Sequence, residues 1–250
     1  MLSYPRLFFL VSLLVLWASA QAGTWVRRRR SLKEGEREDF NVVEAATLTL
    51  LGLIIGFSFS MATTRYDLRK NYEEAEANAI GTEYVRAGLL PAAEAEGVRS
   101  QLEKYLALRL RFYRSRSEQE LQQINADTAR LQSEMWSAVQ APAVKQPTPV
   151  IALAVAGMND VLNSQGYTQA AWWNRIPSSA WTLMLAIAVC CNLLVGYGGH
   201  GAGPKSGLLV VLPLVISLAF LLISDIDSPR RGFIHVVPQN LESLSQSLRK

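Results

Sequence analysis

Apolar positions in this chain are bunched into four charge-free windows, residues 7–26, 45–64, 176–204 and 206–224, with ordinary polar sequence from 65 to 175. An α-helix rises about 1.5 Å per residue, so roughly 20 uncharged residues cover the ~30 Å hydrocarbon layer of a bilayer. The stretch between Glu44 and Arg65 fits that length and predicts a membrane-spanning helix over 45–64. No proline follows until Pro91, and 65–90 is rich in Ala, Glu, Leu and Arg, with Gly81 and Gly88 its only glycines. One uninterrupted helix is therefore expected, in lipid at its start and in water at its end.

The other windows predict spans over 7–26, 178–197 and 206–224. The first has two readings. Arg6, a short apolar core and Ala18-Ser19-Ala20 resemble a cleaved signal peptide, whereas Arg27, Arg28, Arg29 and Arg30 directly after the window favour an uncleaved transmembrane helix. Trp172, Trp173 and Trp181 flank the third window, where amphipathic rings settle at headgroup level. Pro213 is expected to kink the fourth span.

Between the second and third spans the pattern is helical. Val98, Leu102, Tyr105 and Leu106 share one face, and Ser117 with Glu120 forms a capping box. A seam of Leu121, Ile124, Leu131, Met135 and Ala138 follows, in a helix expected to stop near Pro142. After the linker 141–149, Thr148-Pro149 caps an apolar helix too short to span. The expected fold is thus all-α: four transmembrane helices, a helical extramembrane domain over 65–175 between the second and third, and a polar tail over 225–250.

Within the second span Gly52, Gly56 and Ser60 recur every fourth residue, a ridge that lets another helix approach closely in lipid. Beside it runs a larger apolar stripe, Leu51, Ile55 and Phe59. Asn192 is the one amide in the third span and is expected to bond to a neighbouring helix. Cys190 and Cys191 point about 100° apart on a helix and neither pair nor form a metal site.

A net charge of +4 spread over separate segments leaves no nucleic-acid footprint. The glycine-rich stretch 196–207 lacks the Gly-Lys-Ser order of a phosphate loop, because Pro204 precedes Lys205; it reads as a tight turn carrying His200. His200 and His235 have no nucleophile or ligand cluster beside them, so the sequence predicts neither an enzyme nor a metal or cofactor site. Basic residues near the span ends divide evenly. Arg27, Arg28, Arg29, Arg30, Lys33, Arg37 and Lys205 lie on one side, and Arg6, Arg65, Arg69, Lys70, Arg175, Arg230 and Arg231 on the other, so the count sets no orientation.

The run GFSFSMATTRYDLRKNYEEAEANAIGTEYVRAGLLP, with RIPSSAW before the third span and SDIDSPRRGFIHVVP after the fourth, resembles the bestrophin-like domain family of bacterial membrane proteins. The resemblance implies an integral protein of the bacterial inner membrane, kinship with bestrophin anion channels, a homo-oligomer in lipid, and inorganic anions or small solutes as the conducted species. If copies of the second span surround an axis, Leu51, Ile55 and Phe59 would stack into apolar rings that gate by excluding water. Asp225 and Asp227 stand where calcium-gated bestrophins carry a larger acidic clasp. They would form a weak cation site or, on the plainer reading, a salt bridge with Arg65, Arg230 or Arg231. The alternative function is a non-conducting scaffold that binds a partner through its helical domain.

Overall fold

The computed structural model describes residues 5–30, 35–199 and 208–249. Helix is the only regular structure among them: α1 Pro5–Arg29, α2 Glu36–Arg86, α3 Ala92–Arg114, α4 Glu118–Lys145, α5 Pro149–Trp173, α6 Ser178–Gly198, α7 Leu208–Asp227 and α8 Gln239–Ser247. A 3-10 turn, Ala87–Leu89, ends α2 ahead of Pro91, whose ring bars the preceding residue from helical geometry. Among the described residues four stretches are long and apolar enough to cross a membrane. The long helix expected from residue 45 onward is present and begins earlier, at Glu36, with Glu36, Glu38 and Asp39 complementing its N-terminal dipole.

The chain forms two compact units, Met1–Arg65 with Arg175–His235, and Tyr66–Asn174 with Val236–Lys250. In the first, α1 packs on α6 and α7. The α1–α6 crossing depends on glycine: a Cβ at Gly23 would collide with the Leu193 carbonyl, and one at Gly196 with the Ala20 carbonyl. At the same crossing the Ser19 hydroxyl donates to the Val189 carbonyl at 2.7 Å. Phe8 of α1, Trp181 of α6 and Phe220 of α7 close ring on ring, with centroids 5.0 to 6.1 Å apart.

The second unit is a helical bundle of α3, α4, α5, α8 and the later part of α2. Its apolar core includes Ile80, Val98, Leu102, Tyr105, Ile124, Met135 and Met158. Both anticipated caps form. The Ser117 hydroxyl accepts the Glu120 N–H, and the Thr148 hydroxyl accepts the Ile151 N–H at 3.2 Å. The tail helix α8 has no capping side chain of its own. Glu73 of α2 supplies the cap, accepting the Leu241 N–H at 2.9 Å and the Asn240 amide at 2.7 Å.

Several local expectations are corrected. The helix stop expected near Pro142 falls at Lys145, so the linker is 146–148 rather than the whole of 141–149; near a helix end the proline's missing N–H removes a single bond, and its carbonyl still accepts from Gln146 at 2.9 Å. Val139, rather than Ala138, continues the fully buried seam. Asn192 does not bond to a neighbouring helix: its amide donates to the Ala188 carbonyl of its own helix at 2.8 Å. Trp172 is buried against Phe112 and Tyr113 and Trp181 against Phe8 and Phe220, so only Trp173 stays exposed. The glycine-rich turn with His200, Pro204 and Lys205 lies outside the described residues.

Candidate functional site

An apolar helix declares its inner face only through packing, and the burial pattern of α2 over 45–64 gives it. Leu51, Ser58 and Ala62 are buried, and at about 100° per residue they share one side. The opposite side is open. Gly52, Gly56 and Ser60 all lie on it, and a Cβ at Gly52 or Gly56 would meet nothing within 4 Å. The ridge is therefore not spent on packing within the chain. Of the expected stripe, Leu51 is 2% exposed, Ile55 is half-buried and Phe59 is 40% exposed, so the three rotate from the interior to the edge of the open face. Beside the ridge stand Leu53 and Phe57, 53% and 62% exposed, which the sequence reading passed over. Thr63 and Thr64 satisfy their hydroxyls locally, each donating to the Ser60 carbonyl, at 2.9 and 2.8 Å.

Asp225 and Asp227 both lie in the last turn of α7 and both are buried, but two residues apart on a helix they point away from each other and take different partners. The Asp225 carboxylate accepts the N–H groups of Phe233 and Ile234, each at 2.8 Å, and folds the chain after α7 back on itself. Gly232 is required in that return, since a Cβ there would strike the Asp225 carbonyl. Asp227 accepts the Ile176 N–H at 3.1 Å and lies 3.7 Å from the Arg65 guanidinium. Backbone donors and one arginine occupy oxygens that a cation would need. Among the described residues no three His, Cys, Asp or Glu side chains are grouped to hold a metal.

The second unit holds a buried polar face along α2. Arg69, Glu73, Glu76 and Glu83 of α2 are each 1% exposed or less. Glu76 pairs with Arg109 and also accepts from Tyr113 at 3.4 Å and Thr168 at 3.2 Å. Burial works most strongly against the Arg109 charge, but Glu76, Tyr105 and Tyr113 together outweigh it and the guanidinium pKa is raised. Arg69 donates to the Ala171 and Asn174 carbonyls at 3.2 Å, tying α2 to the end of α5.

Glu83 differs from these neighbours. Neither carboxylate oxygen has a hydrogen-bond partner, and the group lies against Gly157 of α5, where a Cβ would overlap it. Burial lifts its pKa from 4.5 to about 8, with Arg86 opposing and Asp160 reinforcing the shift. The folded state thus holds a proton that the unfolded state has released. This contribution to stability is complete below pH 4.5, falls as pH rises toward about 8, and is level above that. The slope in that window is at most about 1.4 kcal/mol per pH unit. Glu83→Gln should flatten the pH dependence of the thermal midpoint; an unchanged slope would show that Glu83 is ionised when folded.

All-helical architecture, four candidate spans and an open apolar face on α2 define a polytopic membrane protein. The bestrophin-like domain model matches residues 13–241, and the chain belongs to that family. The fold is similar to crystal structures of a bacterial bestrophin homologue from Klebsiella pneumoniae. Its isoleucine-to-alanine variant gives a TM-score of 0.66 at 13% identity, covering 97% of this chain and 96% of that one. Its tryptophan-to-alanine variant gives 0.66 at 13%, covering 98% and 95%. A third structure, described only as a membrane protein carrying a glycine-to-alanine change, gives 0.66 at 14%, covering 97% and 96%. At these identities the likeness concerns the fold alone. No curated protein matches the chain.

Proposed function

We propose that this chain is one subunit of an oligomeric bestrophin-type channel of the bacterial inner membrane, passing inorganic anions or small solutes. The open face of α2 carries the reading: Gly52 and Gly56 meet nothing within the chain, and large apolar side chains flank them on both sides. A small-residue ridge left bare in lipid suits close approach by a second copy. Rings built from the apolar side chains of several copies would gate by dewetting rather than by binding the ion. Phe59 with half-buried Ile55 forms the constriction first expected, without Leu51, which is buried within the chain, and Leu53 with Phe57 forms a second, more exposed one on the far side of the ridge. Asp225 and Asp227 act in this reading as a brace at the end of α7, held by Arg65 and backbone donors.

The test is flux from liposomes containing purified protein, with chloride and sodium followed in parallel. Phe57→Ala with Leu53→Ala should raise flux several-fold if that stripe is the narrow ring, and Ile55→Ala with Phe59→Ala if the other is. Leu218→Ala on α7 should leave it unchanged. No flux from any variant, in folded and multimeric protein, would leave the scaffold reading.

A further inference from the structure

The arginine run at the end of α1 is the strongest charge on the first unit that its fold does not use. Up to Val26 the outward side of α1 is apolar: Leu7, Leu10, Leu14, Trp17 and Trp25 are each at least 43% exposed. From Leu7 to Val26 the helix rises ~29 Å, close to one hydrocarbon thickness, so Arg27, Arg28, Arg29 and Arg30 fall at the level of the headgroups. Successive residues turn about 100°, and the four guanidinium groups therefore ring the helix end rather than line one side. Among the described residues none of the four takes part in an ion pair, although Glu36, Glu38 and Asp39 follow closely in the chain. Arg28, Arg29 and Arg30 are exposed and Arg27 is half-buried, and Arg29 stacks on exposed Trp25, 3.9 Å from the ring centroid. Complementing a C-terminal helix dipole, worth about half a charge, calls for one cation and not four.

We propose that Trp25 and Arg27, Arg28, Arg29 and Arg30 form a binding site for the phosphate of anionic lipid headgroups in the leaflet at the α1 C-terminus. The indole takes the interfacial position and holds Arg29 in place, while the planar guanidinium forks give bidentate bonds to phosphate oxygens. A guanidinium also suits the site because it is more weakly hydrated than an ammonium. The proposal stands apart from conduction and holds for a silent scaffold as well.

Native mass spectrometry of the full chain in neutral detergent, offered phosphatidylglycerol, phosphatidylcholine or inorganic phosphate, tests it. Wild-type protein should retain phosphatidylglycerol in preference to phosphatidylcholine, less so at high salt, and show no matching gain with inorganic phosphate. Each basic residue near an anionic surface strengthens attachment roughly fivefold, so Arg28→Gln with Arg30→Gln should weaken retention by about an order of magnitude or more. This pair keeps Arg27 and Arg29 and so leaves the helix end charged for insertion, and Arg116→Gln on the second unit should retain lipid as wild type does. Equal retention of the two lipids, equal retention by the double variant, or the same arginine-dependent gain from inorganic phosphate would overturn the proposal.

Discussion

Arg109→Leu should unfold the second unit or lower its thermal midpoint by many degrees. Glu76 and Arg109 are both fully buried, and removing the cation leaves a carboxylate with only Tyr113 and Thr168 as donors. Breaking a buried pair from one side costs about 3–5 kcal/mol, against a total domain stability of about 5–15 kcal/mol. Glu76→Gln in the Arg109→Leu background should recover part of the loss, because the amide carries no charge to strand. Arg111→Leu is the matched control: its partner Glu120 is 3.4 Å away and both side chains are more than 40% exposed, so the change should be within about 1 kcal/mol. Thermal melting of the four proteins in one detergent checks the series. An Arg109→Leu midpoint equal to that of Arg111→Leu would show that the buried pair does not hold the bundle.

Gly196→Leu should prevent recovery of folded, monodisperse protein, and Gly56→Leu should not. The two glycines look alike in sequence, each in an apolar helix and each four residues from a polar or small neighbour. At Gly196 a side chain would enter the Ala20 backbone of α1, and backbone cannot step aside as a flexible side chain can. At Gly56 the space is empty within the chain. Gly56→Leu should therefore give folded subunits with weakened association, whereas mild Leu218→Ile changes neither. Yield and monodispersity report the first effect and particle mass the second. Equal behaviour of the two glycine variants would remove the distinction between contacts within and between chains.

The same pair explains what the sequence discloses. Span positions follow from charge-free length, and the caps at Ser117 and Thr148 follow from residue chemistry next to a periodic pattern; both are local, so both are legible. Which side of α2 faces inward is not legible. A helix apolar all round carries no polar face to orient it, and Leu51 and Leu53 differ only in what the rest of the chain places against them. Ser19 and Gly23 do carry a signal, small residues four apart, that points to the α1 crossing. Arg69, Glu73, Glu76 and Glu83 also fall on one side of α2, with Ile80 among them, but charge at helical spacing is ordinarily solvated. Only the partners on α3, α5 and α8 reveal that this charged face is the inner one.

The central claim is that the open face of α2 lies between copies of this chain around a conducting axis. Ion flux in liposomes, from protein whose detergent-solubilised mass is first established, tests it most directly. The account predicts a particle of several 27.7 kDa chains that carries ions, with a rate raised by trimming Phe57 or Phe59 and unchanged by trimming Leu218. A monodisperse, folded monomer, or a multimer that conducts nothing even after those residues are trimmed, would contradict it.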